Sequence, residues 1–241
     1  MLKLSQRLLT LARMIPCGTR VADIGTDHAL LPCYLIKENI SPYVIGVEAN
    51  KKPYKKACFT VEQYNLQEKI AIRLGNGLAV LKPGEVNTVV LAGMGGPVIC
   101  DILEKSPQVL ASLDKIIVQP MRNAEIVRFW LVEHGWLFSE EELIYEDKQY
   151  YQIIAAKQRE PGEGVFSLNE AEAAYGPLLI KKRHVLLSGL VEKDLAGWQE
   201  ILGELAKSKK KETKRRVIAY QEKMQKFREL QEWLEEDKGG L

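Results

Sequence analysis

Short apolar runs alternate with helix-like segments from about residue 20 to residue 158, and this alternation constrains the fold more than any other feature of the chain. The runs are rich in Val and Ile, and each is closed by Gly, Pro or a polar residue. Such runs, when helices separate them, are typical of parallel strands buried on both faces of a sheet. The predicted strands are at residues 20–24, 43–48, 70–74, 88–92 and 115–118, and helices are predicted near 28–38, 51–65, 97–112 and 123–134.

The pattern changes after the last of these helices. Strand-like runs at 137–145 and 149–157 are separated only by Glu146-Asp147-Lys148, which is the spacing of a hairpin and not of a crossover. Five alternating strands followed by an antiparallel pair predict a seven-stranded α/β sheet. The dinucleotide-binding fold, in contrast, is normally all parallel.

A second region begins at Pro161-Gly162-Glu163-Gly164, which has the composition of a linker. The sequence therefore predicts domains at residues 1–160 and 161–241. Apolar side chains recur at helical spacing in two stretches of the second region, which predicts an α-helical hairpin with coiled-coil packing. These side chains belong to Val191, Leu195, Trp198, Leu202 and Leu205 in the first stretch and to Val217, Tyr220, Met224, Phe227 and Leu234 in the second.

Composition disfavours several classes of protein. The hydrophobic fraction of 46% is ordinary for a globular protein, and no stretch approaches the roughly 18 consecutive apolar residues of a membrane helix. The first residues have the pattern of an amphipathic helix and not of a signal peptide, so we expect a cytoplasmic protein. The cysteines are widely spaced and have no His at ligand spacing, so no metal site is expected. The sequence leaves the oligomeric state open, with a monomer as the expectation.

The sharpest local signal is Asp23-Ile24-Gly25-Thr26-Asp27-His28-Ala29, at the end of the first predicted strand. The glycine permits close backbone approach, and the helix that follows offers free N–H donors at its N-terminus. The later glycines of a pyrophosphate-binding G-x-G-x-x-G turn are missing. S-adenosylmethionine has a carboxylate and no phosphate, so it suits this less glycine-rich turn. A tight strand-to-helix turn without a ligand is the alternative.

Three further signals follow the next strands. Glu48, before Ala49, stands where an acidic residue would accept hydrogen bonds from both ribose hydroxyls, unless it is only a solvated charge. The amide of Asn76, before Gly77, would bond an adenine edge, unless it belongs to a simple Asn-Gly turn. Ala92-Gly93-Met94-Gly95-Gly96 is predicted to be a loop against which a substrate lies flat. Because the carboxyl ends of strands in an open α/β sheet form its ligand-binding edge, the coincidence of four signals predicts one cofactor site.

These motifs, together with Gln119-Pro120, resemble those of the bacterial tRNA (adenine-N1)-methyltransferases that act on adenine 22 in the D-arm. The resemblance extends over nearly the whole chain. It implies an α/β fold of the Rossmann-like, seven-stranded class I methyltransferase type with a C-terminal coiled-coil hairpin, S-adenosylmethionine as methyl donor and tRNA as partner. Where the family often has Gln-Pro-Asn, this chain has Met121 in place of the Asn, which leaves the polar contact at that position open.

The resemblance also implies roles for individual residues. Cofactor contacts are implied at Asp23, Gly25, Thr26, Glu48, Ala49, Asn76, Gly77, Ala92 and Gly93. Contacts with the target base are implied near Asp27, His28, Met94, Gly95, Gln119 and Pro120.

The chemistry of adenine N1 narrows the catalytic candidates to Asp27 and His28. N1 has a lone pair and no proton at neutral pH, so its attack on a sulfonium methyl requires positioning more than a base. Asp27 would accept a hydrogen bond from the exocyclic amine, or cap the following helix, or do both. His28 would orient Asp27 or stack on the base, or is simply a partly buried polar residue. The glycine-rich segment at 92–96 lacks the Asn/Asp-Pro-Pro-aromatic residues of exocyclic-amine methyltransferases, which disfavours N6 chemistry.

The densest basic run of the chain is at residues 207–216, although the net charge of the whole protein is only +2. It predicts contacts with tRNA phosphates, unless it is only a solvated loop. Lys3, Arg7 and Arg13 form a smaller basic face near the N-terminus. The candidate phosphate contacts of the main run are Lys209, Lys210, Lys211, Arg215 and Arg216.

Three other functions remain possible from the sequence. A small-molecule methyltransferase would explain the cofactor motifs but not the basic run. A catalytically inactive RNA-binding protein on the same fold would explain the basic run but not the retained chemistry of every motif. An NAD-dependent oxidoreductase is disfavoured by the missing glycines and by the terminal hairpin.

Overall fold

The structure, a computed structural model, describes residues 2–160, 163, 167–206 and 211–236, and only the backbone of residues 206 and 211–216. The chain divides into two compact units, Met1–Ser167 and Leu168–Leu241. The functional roles that the sequence assigns to its two domains stay predictions.

The first unit contains a sheet flanked by helices. Its strands are β1 Val21–Ile24, β2 Val44–Glu48, β3 Ile70–Leu74, β4 Thr88–Gly95, β5 Lys115–Arg122, β6 Trp136–Glu146 and β7 Gln149–Gln158. Its helices are α1 Gln6–Met14, α2 Leu30–Lys37, α3 Lys51–Gln63, α4 Gly96–Glu104, α5 Pro107–Leu110 and α6 Ala124–Glu133, with a 3-10 turn at Gly77–Val80.

The strands are ordered β3-β2-β1-β4-β5-β7-β6 across one seven-stranded sheet. Strands β1 to β5 are parallel, whereas β7 is antiparallel to both β5 and β6. The predicted Rossmann-like sheet with a terminal antiparallel pair is therefore confirmed.

Burial explains why the central runs are continuously apolar. Every residue of β1 and β2 is buried. Ala22 and Ile24 pack into the hydrophobic core on one face of the sheet, and Val21 packs into the core on the other face. Because successive side chains of a strand point to opposite faces, a strand covered on both sides needs apolar residues at every position.

The helix predicted near 97–112 is wrong as a single element. It is divided into α4, which ends at Glu104, and α5, which begins at Pro107. Proline has no backbone N–H and disfavours helical geometry in the residue before it, so the Ser106-Pro107 step ends the first helix.

The loop predicted at 92–96 is also wrong. Strand β4 continues to Gly95 and pairs with β5, with shifts of register between Ala92 and Met94 and again between Met94 and Gly95. Irregular pairing of this kind places extra residues in one strand, and glycine accommodates it easily. Strand β5 likewise continues through Gln119 and Pro120 to Arg122.

The second unit is helical in its described part, with α7 Glu170–Tyr175, α8 Pro177–Lys181, α9 Leu187–Ala206 and α10 Lys211–Glu235. The Ser188 hydroxyl, at the start of α9, donates to Glu235 Oε1, at the end of α10, over 3.0 Å, so the two helices are antiparallel. The predicted apolar residues Val191, Leu195, Met224, Phe227 and Leu234 are all buried. The helical pair is thus present, and its coiled-coil packing stays a prediction.

None of the helices in the described part of the chain combines the length and the apolar character that crossing a membrane requires.

Candidate active site

The turn after β1 has an unusual backbone that brings several polar groups together. Gly25 has φ +77°, and the non-glycine residues Asp27 and Ala29 also lie in the left-handed region, at +51° and +53°. The N–H groups of Gly25 and Thr26 both donate to the carbonyl of Val47, at the end of β2. The turn is therefore fixed against the neighbouring strand.

Gly25 is required here by packing as well as by dihedral angle. A Cβ at this position would lie 2.5 Å from the terminal methyl carbon of Met94. Met94 is partly buried and packs against the core beneath the sheet edge. Any larger residue at position 25 would therefore displace this side chain.

A cavity of 280 Å³ opens at this carboxyl edge of the sheet. It is bounded by the β1 turn, by the end of β4 and by α1. Of the predicted site residues, the walls include Asp23, Gly25, Thr26, Asp27, His28, Ala92 and Gly93. The residues Arg7, Leu8, Leu30 and Leu31 complete the lining.

Glu48 lies beside this cavity and connects the turns of three strands. Its carboxylate accepts a hydrogen bond from the N–H of Asp27 over 2.5 Å. Its carbonyl accepts from the N–H of Gly75, after β3, over 2.8 Å. The side chain is buried, whereas Ala49 is exposed at the rim. The sequence alternative of a solvated strand-end charge is therefore wrong.

Asp23 is a buried carboxylate at the floor of the cavity. Burial raises the pKa of Asp23 to about 6, and the nearby charge of Glu48 raises it further against the effect of a hydrogen bond with Thr26. Neither Asp23 nor Glu48 forms an ion pair with any residue in the described part of the chain. The site therefore concentrates negative charge that a cationic ligand would compensate.

Asp27 and His28 present their side chains to the cavity and to solvent. His28 Nε2 lies 3.6 Å from Asp27 Oδ2, and the two side chains are 46% and 68% exposed. Helix α2 has Ala29 as its N-cap and no side-chain cap. The alternative in which Asp27 caps the helix is therefore wrong, because the chain needs two more residues in the turn before the helix begins.

Gln119 is completely buried beneath the cavity and does not line it. Its Oε1 accepts from Arg7 Nη1 over 2.7 Å and from the Gly93 N–H over 3.2 Å. Its Nε2 faces the Pro120 carbonyl at 3.1 Å and Met121 Sδ at 3.6 Å. Met121 thus provides a weak acceptor at the position where the family often has Asn.

Arg7 is the residue of this site that the sequence placed elsewhere, on a basic face near the N-terminus. Only its position in an amphipathic first helix signals a role, because no motif surrounds it. It lines the cavity, and its guanidinium lies 5.4 Å from the centre of the Tyr151 ring.

Asn76 and Gly77 are at a separate place on the same edge. They line a smaller cavity of 80 Å³ together with residues of α4. The side chain of Asn76 is exposed, and a Cβ on Gly77 would lie 2.8 Å from Ile102. The structure therefore does not bring them into the cavity that contains Asp23.

The predicted phosphate contacts are not defined by the structure. Lys209 and Lys210 lie outside the described residues. Lys211, Arg215 and Arg216 lie in the first part of α10, where only the backbone is described. Within the described ranges, no group of three or more His, Cys, Asp or Glu residues has an arrangement suited to a metal ion.

Comparison with known proteins agrees with this geometry. A model of the methyltransferase domain family matches residues 4–154. The chain is 34% identical over 209 residues to the tRNA (adenine(22)-N(1))-methyltransferase of Bacillus subtilis, an alignment that covers 86% of this chain and 87% of that protein.

Two solved structures are similar over almost their full length. The crystal structure of the B. subtilis m1A22 tRNA methyltransferase TrmK superposes with a TM-score of 0.87 at 30% identity, covering 96% of this chain and 100% of that one. Sp1610 of Streptococcus pneumoniae, solved in complex with S-adenosyl-L-methionine, gives a TM-score of 0.84 at 29% identity, covering 95% and 100%. The resemblance found in the sequence is confirmed, and the chain belongs to the tRNA (adenine(22)-N(1))-methyltransferase family.

Proposed function

We propose that this protein transfers a methyl group from S-adenosylmethionine to N1 of adenine 22 in the D-arm of tRNA. The observation that carries the proposal is the cavity at the carboxyl edge, where a buried carboxylate, Asp23, and an exposed Asp27–His28 pair share one wall. The names of the relatives in B. subtilis supply the substrate and the atom. We further propose that the protein works as a monomer in the cytoplasm.

The residues present fit S-adenosylmethionine. Its sulfonium and ammonium groups are positive, and the cavity has buried acidic side chains without a cationic partner. Asp23 is suited to the ammonium group, and the oxygen of Glu48 that does not bind Asp27 is suited to the ribose hydroxyls. The backbone of Gly25 and Gly93 permits close approach of a ligand. When bound, the cofactor supplies an electrophilic methyl group.

The target base requires orientation more than proton transfer. Asp27 has a largely exposed carboxylate that can accept a hydrogen bond from the exocyclic amine of adenine, which increases electron density at N1. His28, whose ring lies beside that carboxylate, limits its rotation. Because the base lies in a folded RNA, it must leave its stack to reach this wall.

The product atom is the decisive measurement. Purified protein is incubated with labelled S-adenosylmethionine and bulk tRNA, and the methylated nucleotide is mapped and identified. We expect label in tRNA at adenine 22 as 1-methyladenine. Label only in small molecules would support a small-molecule methyltransferase, and tRNA binding without label would support an inactive RNA-binding protein; either result rejects the proposal.

Asp27→Ala tests the orienting role. We expect single-turnover methyl transfer at saturating tRNA to slow by about 10- to 100-fold, because a misplaced nucleophile loses much of the benefit of proximity. The affinity for S-adenosylmethionine should stay close to that of the original protein. Since Asp27 has a positive φ that Asn tolerates better than Ala, Asp27→Asn is the matched control for backbone strain. An unchanged rate in both variants would remove Asp27 from the mechanism.

The grip on tRNA is proposed to lie in the C-terminal region, 161–241. The support is the clustering of cations at residues 207–216, since a local patch can follow one track of phosphates. Replacing Lys209, Lys210, Lys211, Arg215 and Arg216 with Gln should weaken tRNA binding and flatten its dependence on salt, by about 0.9 log unit per lost phosphate contact on a duplex.

A scattered set of exposed lysines provides the control for net charge. Its members are Lys52, Lys55, Lys56, Lys69 and Lys82, all in the first unit. The same five-charge change there should leave the slope of log affinity against log salt nearly unchanged. Equal effects of the two replacements would show that total charge, and not the C-terminal run, governs the binding.

A further inference from the structure

We infer that Arg7 is a substrate-positioning residue that binds the phosphate of the target nucleotide and that Gln119 holds it in place. The inference rests on the proposed function, because it assumes an RNA substrate in the cavity at the carboxyl edge. It assigns the direct contact to Arg7 and makes Gln119 the buried support of that contact.

Burial separates the two roles. Gln119 has 0% exposure, so a nucleotide cannot reach it without rearrangement of the strand ends. Arg7 covers it and lines the cavity. A residue that contacts the substrate must be accessible, and here that residue is the arginine.

The orientation of the Gln119 amide follows from its neighbours. Arg7 and the backbone N–H of Gly93 can only donate hydrogen bonds, so the amide oxygen must face both of them. The amide nitrogen then faces the Pro120 carbonyl, which can only accept. Gln119 is thus fixed as an acceptor, and it fixes one nitrogen of the guanidinium in turn.

The backbone of Arg7 is also restrained. The Ser5 hydroxyl caps α1 by accepting from the Leu8 N–H, and the Glu146 carboxylate accepts from the N–H of Gln6 over 2.7 Å and from that of Arg7 over 3.5 Å. The side chain stacks near Tyr151. Contacts with the ends of β5, β6 and β7 therefore preorganise the guanidinium before substrate arrives.

Electrostatics identifies the chemical group that Arg7 would bind. Among the described residues that line the cavity, Arg7 is the only permanent cation, and Asp23 and Asp27 are acidic. A nucleotide that enters brings a phosphate, which these carboxylates repel. A guanidinium has five N–H donors in a planar fork that matches phosphate oxygens, and Gln119 uses one nitrogen only. Arg7 therefore offsets the repulsion at the one place where an RNA backbone must approach the acidic wall.

The test compares Arg7→Ala and Arg7→Lys with Arg13→Ala, a change on the same helix at an exposed residue outside the cavity. We expect Arg7→Ala to lower kcat/KM for tRNA by about 100-fold, mainly through KM, while S-adenosylmethionine affinity and Tm stay near the original values. Arg7→Lys keeps the charge but not the fork, so it should recover less than about tenfold of this loss. Arg13→Ala should stay within about twofold.

A double-mutant cycle tests the link with Gln119. If Gln119 acts through Arg7, Gln119→Ala should lower kcat/KM for tRNA, but should add little to Arg7→Ala. Additive losses would overturn the supporting role. Normal tRNA kinetics in Arg7→Ala, or full recovery in Arg7→Lys, would overturn the contact. Failure of the original protein itself to methylate tRNA would instead reject the proposed function, so the two failures are distinguishable.

Discussion

Two buried polar clusters in the first unit treat charge in opposite ways. The arginine cluster consists of Arg128, Glu141 and Gln152, on α6, β6 and β7. Arg128 Nε donates to Glu141 Oε1 and Arg128 Nη2 donates to Gln152 Oε1, each over 2.7 Å. The ionic side chains have 0% exposure, so their charges are removed from water but balanced.

The acidic edge consists of Asp23, Asp27 and Glu48 at the carboxyl ends of β1 and β2. It contains carboxylates of one sign, and the pKa of Asp23 is raised because its charge is poorly solvated. A fold that only needed stability would balance this charge, as the arginine cluster does. The comparison teaches that unbalanced burial, more than burial itself, marks the site at which a ligand completes the structure.

The largest effect is expected from breaking the balanced cluster. Arg128→Met leaves Glu141 buried without its partner, and the free energy of unfolding should fall by about 3–5 kcal/mol. Urea unfolding followed by circular dichroism measures this. The double variant Arg128→Met Glu141→Leu should recover most of the loss, because it removes both charges together. A single variant as stable as the original would mean that the pair is not desolvated in solution.

The unbalanced edge should respond in the opposite direction. Asp23→Asn removes a poorly solvated charge, so we expect it to stabilise the ligand-free protein by about 2–3 kcal/mol above pH 7. The pKa of Asp23 is about 6 in the folded state against an ordinary value of 3.8. Protonation therefore favours folding, and the contribution of Asp23 to stability is present below pH 4 and is lost as the pH rises through 6. The two proteins should thus be almost equally stable at pH 4.

The same variant should bind its cofactor poorly. Above pH 6 the original protein has an ionised Asp23 to pair with the ammonium group, and Asp23→Asn does not. Calorimetric titration from pH 5 to pH 8 should show affinity rising with pH only in the original protein. A parallel rise in both would assign the pH dependence to another group.

A smaller effect is expected at Glu48, where two variants separate its structural and its binding role. Glu48→Ala removes the acceptor of the Asp27 N–H and should cost about 1–2 kcal/mol of stability, whereas Glu48→Gln keeps an acceptor oxygen and should cost less. Both should weaken S-adenosylmethionine binding by about tenfold or more, because both lose charge-assisted bonds to the ribose. Unchanged affinity in both would exclude the ribose contact.

The smallest change in stability is expected at the exposed member of the acidic edge. Asp27→Asn should alter the free energy of unfolding by no more than about 0.5 kcal/mol, since both partners of the Asp27–His28 pair are largely solvated. Thermal unfolding at two salt concentrations measures this. A large loss would mean that Asp27 is a structural residue of the turn.

Periodicity was sufficient to predict the sheet, because buried parallel strands must be apolar at every position. All seven strands were predicted, and only their ends differ. The ends of β4 and β5 were too short by several residues, since glycine-rich and Gln-Pro segments have the local preference of loops and are held in strands only by pairing with each other.

The site was predicted in part. Asp23, Gly25 and Asp27 follow one strand, so their proximity could be derived from the chain order. The contact of Arg7 with Gln119 joins residues 112 positions apart, and no local pattern encodes it. The break at Pro107 was visible in the sequence, in contrast, and the periodicity of the flanking residues obscured it.

The contact between Gly25 and Met94 has a consequence for how sequences of this family should vary. Two constraints act on position 25: the side chain opposite it and a backbone angle that L-residues avoid. Only the first is relieved when residue 94 becomes smaller. Chains with a short residue at 94 should therefore tolerate Ala at 25 more often, yet still rarely. An invariant glycine here would then be evidence of turn geometry before it is evidence of a bound ligand.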